Sequence, residues 1–221
     1  MENALIIGAS GGIGVAVAQE LDRRGVAVTR LSRRDDAFDV TDPASVAQHL
    51  DGLVGPFDLI FVAVGILAPP EAGPEKALSA IDAAQMAQVF AVNTIGPALI
   101  LRHVPRLLSK DKPAVTAVLS ARVGSIGDNS IGGWHSYRAS KAALNQILRG
   151  AAIELGRSHK KAACVALHPG TVETPFTADY AGRHKTMPAA DAAAHLLDVI
   201  AGLTPAQTGH FYDYAGKEVP W

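Results

Sequence analysis

Cysteine is nearly absent from this sequence. Cys164 is the single thiol in 221 residues, so no internal disulfide can form. It lies in the apolar run 162–167, where a buried structural thiol is expected rather than a reactive one. That usage suits a reducing compartment, and a cytoplasmic location is expected. Charge runs are also missing. No run of Lys or Arg exceeds two residues, as at Arg33-Arg34, and the formal net charge is -1. No electrostatic footprint for nucleic acid or an acidic membrane is present. No apolar run approaches the roughly 18 residues needed to cross a bilayer. The start, Met1-Glu2-Asn3, leads directly into a strand-like run with no basic or long apolar segment, so no secretory signal is expected. The histidines show no HxxH or HxxxH spacing, and no metal site is expected.

What is abundant is apolar surface. With 48% hydrophobic and 19% charged residues, the chain can bury a sizeable core, and its length suits one domain spanning 1–221. Residues 4–7 form a short, fully apolar run, as in strands buried on both faces. Gly8, Gly12 and Gly14 follow in a Gly-xxx-Gly-x-Gly loop. Ile13, Val17, Ala18 and Leu21 then recur at helical spacing until Gly25. Strand, glycine loop and helix open a βαβ unit. Glycines let a backbone approach a pyrophosphate, and the helix N-terminus offers free N–H groups.

Residues 26–31 read as the second strand, ending at Ser32-Arg33-Arg34. An acid there would bind a ribose 2′-hydroxyl; a guanidinium matches a 2′-phosphate. NADP is therefore favoured over NAD. Thr41 or Asp42 caps a helix over 44–53. Residues 58–65 form a buried strand, and 66–80 a Pro- and Gly-containing loop. Helices are expected at 82–92, 98–108 and 189–203, and strands at 114–119, 161–167 and 209–214. This alternation argues a doubly wound α/β fold with a parallel sheet.

The segment Ser136-Tyr137-Arg138-Ala139-Ser140-Lys141 opens a long helical pattern. Residues four apart share a face, so Tyr137 and Lys141 are neighbours. An ammonium beside a phenol favours the phenolate and equips Tyr137 for proton transfer.

The glycine loop, the serine-bearing strand end, Tyr-xxx-Lys and the Pro-Gly-Thr-Val-Glu-Thr turn at 169–174 occur in one order. In that order the chain resembles the short-chain dehydrogenase/reductase family over nearly its whole length. Residues 119–141 and 216–221 resemble its C-factor-like subgroup. The resemblance implies a single-domain Rossmann-type sheet of seven strands with helices on both faces. It implies hydride transfer between a nicotinamide and a carbonyl or alcohol substrate. Tyr137 would be the acid/base and would also contact the cofactor, and Lys141 would lower its pKa and hold the nicotinamide ribose. Ser120 would hydrogen-bond the substrate oxygen, and Asn93 would support the lysine and a relay water. Gly8, Ser10, Gly12, Ile13 and Gly14 would line the pyrophosphate, with Arg33 at the 2′-phosphate. Asp39 and Val40 would meet the adenine, and Gly65 its ribose. Pro169, Gly170, Val172 and Thr174 would hold the carboxamide. A homodimer or homotetramer is implied, packed partly through helices 82–108 and 137–157.

Three departures stand out. Ser120 lies seventeen residues before Tyr137, where the family usually has thirteen; Ser125 and Ser136 are the other candidates. The family's Asn-Asn-Ala-Gly is Val62-Ala63-Val64-Gly65 here. The basic residue that NADP enzymes often carry in the glycine loop is Gly11. Phe176, Tyr180, Met187 and Trp134 are candidates for an apolar pocket lining. Residues 8–12 also spell G-x-S-x-G, but a nucleophile elbow needs earlier strands to build on. A non-catalytic dinucleotide-binding or signalling protein on the same scaffold is the alternative.

Overall fold

The computed structural model describes residues 1–176 and 186–221. Its centre is a parallel sheet of six strands: β1 (Asn3–Ile7), β2 (Ala27–Leu31), β3 (Leu59–Val62), β4 (Ala114–Leu119), β5 (Ala162–His168) and β6 (Phe211–Asp213). Their order is β2-β1-β3-β4-β5-β6. In register, Ile6 sits beside Phe61, and Phe61 beside Ala117.

The strands are apolar on both faces because both are covered. Leu5, Ile7, Ile60 and Val62 point into one core cluster; Ala4, Ile6, Leu59 and Phe61 point into the other. The first cluster is closed by α3 (Pro43–Asp51), α5 (Gly96–Leu107) and α6 (His135–Ser158). The second is closed by α1 (Gly12–Arg23) and α7 (Ala189–Gly202). Each large side chain buried this way contributes about 2 kcal/mol.

Among the described residues the sheet has six strands, not the seven implied by the family resemblance. The cause lies after β2. Residues 32–38 hold only the short helix α2 (Arg33–Asp36) and the left-handed Ala37, φ 56°. A crossover needs about ten residues or more, so no further strand forms before Asp39. Phe38 is buried instead and packs edge-on to His49.

Helix boundaries follow local chemistry. Asp42, not Thr41, caps α3, accepting from Ala44 N–H at 2.9 Å with Pro43 in the first turn. Asp82 caps α4 (Ala83–Phe90) through Gln85 N–H at 2.8 Å. The expected break near Asn93 is absent: a π-helical turn, Ala91–Ile95, joins α4 to α5. The expectation that no apolar run reaches bilayer length is corrected here: because this turn makes one continuous helix, the run Ala83–Leu107 is long and apolar enough, by length and composition, to cross a bilayer. Its inner side chains, Ile100, Leu101, Val104 and Leu107, lie in the core of the sheet's α6 face.

Candidate active site

In this strand order the chain leaves β1 in one direction for β2 and in the other for β3. The crevice beyond the carboxyl ends of such strands is where ligands bind in open α/β sheets. The glycine loop borders it. Gly8 has φ +87°, and a Cβ there would lie 2.4 Å from the Ala63 carbonyl oxygen. A Cβ on Gly14 would lie 2.1 Å from the Gly8 oxygen. These two glycines bring the β1 end, the β3 end and α1 together. Gly12 serves a different contact, since a Cβ there would meet the Thr174 γ-methyl at 2.5 Å. The glycine loop and the Pro169–Thr174 turn therefore face each other. Gly170, φ +79°, lets that turn pass the Tyr214 ring. Val172 pairs with Met187.

Helix α1 starts at Gly12 without a side-chain cap and without an acid in its first turn. Its positive dipole end is left for an anion. Ser10 and Ile13 flank that end and are partly exposed. At the β2 end, Arg34 pairs with Asp35 at 3.0 Å. Among the described residues Arg33 makes no salt bridge, and it is exposed. The Ser32 N–H and hydroxyl are already engaged, by Asp36 at 2.8 Å and Asp35 at 2.9 Å. Asp39 turns its carboxylate to the Thr41 N–H and hydroxyl, at 2.8 and 2.7 Å, and these bonds hold it below the usual carboxylate range. Val40 packs against Gly96. An uncapped helix start beside glycines, with an exposed guanidinium at the next strand end, fits a dinucleotide carrying phosphates.

Across the crevice, three expected residues converge. A Cβ on Gly65 would lie 3.3 Å from both Asn93 Oδ1 and Lys141 Nζ. Asn93 accepts from Ile66 N–H at 2.8 Å, and its amide donates to Ile66 O at 2.8 Å and Ser140 Oγ at 3.0 Å. Lys141 Nζ donates to Leu119 O at 3.0 Å and lies 6.0 Å from the Tyr137 ring centroid. Both Tyr137 and Lys141 are buried. Burial pushes the Tyr137 phenol above its ordinary value and brings the Lys141 ammonium down to about 8. Burial, not the lysine's charge, dominates the phenol here. Trp134 and Phe176 flank the Tyr137 ring, with centroids 6.3 and 6.0 Å away. Tyr180 lies outside the described residues, as does His184.

The serine candidates separate. Ser120 is buried at the end of β4, but its hydroxyl donates to Asn145 Oδ1 at 2.6 Å. Ser125 Oγ accepts from Asp128 N–H at 3.1 Å. Ser136 donates to Glu75. Asn145 and Glu75 carry no motif in the sequence; only spacing, Asn145 four after Lys141 on one helix face, hints at the first. Among the described residues no cluster of His, Cys, Asp or Glu could hold a metal ion.

A phosphate-ready crevice with a buried tyrosine–lysine pair at its far wall is the architecture of a dinucleotide-dependent oxidoreductase. Comparisons with known proteins agree. A family model described as enoyl-(acyl carrier protein) reductase matches residues 8–208. The C-signal of Myxococcus xanthus is 36% identical over 167 residues, covering 76% of this chain and 94% of that protein. The 1-hydroxy-2-glutathionyl-2-methyl-3-butene dehydrogenase of a Rhodococcus species is 31% identical, covering 100% of both chains. A carbonyl reductase from Pseudomonas aeruginosa PAO1, crystallised in complex with NADP, matches with a TM-score of 0.82 at 27% identity, covering 100% of both. The chain belongs to the short-chain dehydrogenase/reductase family, a family of NAD(P)-dependent oxidoreductases.

Proposed function

We propose that the chain is an NADP(H)-preferring enzyme that interconverts a carbonyl and an alcohol, with Tyr137 as acid/base. The observation that carries this reading is the meeting of Gly65, Asn93 and Lys141 in the crevice where Tyr137 is buried. The nicotinamide, when bound, supplies or accepts the hydride. The protein places the groups and moves the proton. Burial keeps the Tyr137 phenol protonated, so in reduction it can donate to the substrate oxygen. The phenolate left behind is stabilised by the Lys141 ammonium, which is charged below about pH 8. Asn93 ties the π-helical turn to Ile66 and to Ser140 on α6, holding the lysine's surroundings. Ser120 serves the substrate oxygen only by releasing Asn145. Trp134 and Phe176 give the pocket an apolar wall.

Arg33 is the group for a 2′-phosphate, since Arg34 is occupied by Asp35. Gly8, Ser10, Gly12, Ile13 and Gly14 take the pyrophosphate; Asp39, Val40 and Gly65 the adenosine. Pro169, Gly170, Val172 and Thr174 take the carboxamide. Exposed Ile95, Ile147 and Ile153 suit packing as a homodimer or homotetramer, and a cytoplasmic location goes with the reading. The likeness to C-signal supports a second reading, a signalling protein on the same scaffold, in which Tyr137 is not needed.

The test is NADPH and NADH binding by wild type and Arg33→Ala. Tight NADPH binding that Arg33→Ala weakens selectively supports the reading. Failure to bind either nucleotide sinks it.

A further inference from the structure

The segment between Gly65 and α4 reaches across to the start of the tyrosine helix. Glu75 is buried, 7% exposed. Its Oε2 accepts from the Ser136 N–H at 3.2 Å, and its Oε1 accepts from the Ser136 hydroxyl. Its own carbonyl accepts from the Trp134 N–H at 2.5 Å. Three bonds thus join residue 75 to the two residues flanking His135.

Helix α6 has no cap of its own. Its N-cap is Trp134, in the left-handed region at φ 50°, with no side-chain cap bond and no acid in the first turn. A tryptophan in that conformation is strained and persists only when its surroundings hold it. The Glu75 carbonyl provides one such hold. The Glu75 carboxylate provides the missing cap: a negative group on free N–H donors at the positive end of the dipole. The turn held this way carries Trp134, whose ring stands edge-on to Tyr137, and Tyr137 itself, next after Ser136. The same loop begins at Ile66, which Asn93 grips on both backbone groups. One segment therefore ties Asn93 to the first turn of α6.

We infer that Glu75 is a positioning residue that sets the Tyr137 hydroxyl for proton transfer by capping α6 from 61 residues away. This rests on Tyr137 being the acid/base. Its effect falls mainly on turnover, because Ser136 and Trp134 adjoin Tyr137 in the first turn of α6, whereas the residues assigned to the pyrophosphate and the 2′-phosphate lie on the glycine loop and at the end of β2.

The experiment uses a Trp221→Phe parent, which leaves Trp134 as the single tryptophan of the two in the sequence. Glu75→Gln keeps the side chain's shape and removes its charge. Trp134 emission and NADPH-dependent reduction of isatin, a small activated ketone, are measured. Glu75→Gln is expected to red-shift Trp134 emission and lower kcat about tenfold, with KM for NADPH within about twofold. Emission and kcat equal to the parent's would overturn the inference. So would a lower melting temperature with both unchanged, since that is stability alone. If the parent does not reduce isatin, isatin is not its substrate and the comparison moves to whichever activated ketone of a panel the parent does reduce; a parent that reduces none contradicts the Tyr137 reading and this inference with it, while a wild-type emission spectrum in Glu75→Gln contradicts the inference alone. If Glu75→Gln does not fold, Ser136→Ala carries the test: the same directions with about a threefold loss of kcat, and no change in either overturns it.

Discussion

The Ser120 hydroxyl donates to Asn145 Oδ1 at 2.6 Å, and both residues are buried. The bond joins the end of β4 to α6 one turn beyond Lys141. Asn145 also donates to Gly124 O at 3.4 Å, so its loss strands two partners, while loss of Ser120 strands one. Unsatisfied buried groups cost about 1–3 kcal/mol each. Asn145→Ala should therefore destabilise more than Ser120→Ala in urea unfolding. Equal losses would show that the amide contributes nothing beyond the serine bond.

Cofactor preference should divide between two adjacent arginines. Arg33→Ala should weaken NADPH binding about tenfold or more and leave NADH unchanged, as expected for one lost charge-assisted contact. Arg34→Ala removes an exposed ion pair with Asp35, a type worth under about 1 kcal/mol, and should change neither nucleotide much. Titrations of the two variants check this. An Arg34→Ala effect matching that of Arg33→Ala would move the phosphate site.

The pH dependence of stability should report Lys141. Its pKa is about 8 in the folded chain against an ordinary 10.5. Between those values the unfolded chain binds more protons, so stability rises with pH there. The burial cost is fully present below about pH 8 and is relieved above it. Tyr137 acts oppositely, but only above its ordinary 10.0. Melting curves of wild type should show stability rising between pH 8 and 10, and Lys141→Met should remove that rise. Turnover that needs the charged lysine should decline over the same window.

The glycines should not be equivalent. A Cβ on Gly11 would find its nearest atom at 3.5 Å, whereas on Gly14 it would lie 2.1 Å from a backbone oxygen. Gly11→Ala should be tolerated, and Gly14→Ala should cost about 1–3 kcal/mol as an overpacked contact. Thermal melts of the two variants separate the cases.

Much of this architecture was legible from residue order. Apolar runs marked most of the strands, Asp82 marked one helix start, and Thr41 or Asp42 marked another, of which the structure uses Asp42. Tyr137 and Lys141 share a helix face because the spacing is four. Other features were not legible. The lost strand after β2 depends on residues 32–38 being too short for a crossover, which needs the sheet to judge. The π-helical turn holding Asn93 has no sequence signal, since α4 and α5 read as two helices with a gap. Ser120 is assigned from its strand end, but Asn145 Oδ1, 25 residues away, accepts its hydrogen bond. Glu75 sits in a segment that reads only as a loop. Long-range partners of single polar side chains are where pattern reading stops.

The central claim is that Tyr137 moves the proton while other residues hold the cofactor. The direct measurement compares wild type and Tyr137→Phe in NADPH binding and in NADPH-dependent reduction of a ketone. The account predicts turnover by wild type, an unchanged NADPH Kd in Tyr137→Phe, and turnover lower by at least about a hundredfold. Equal turnover by the two proteins would contradict it.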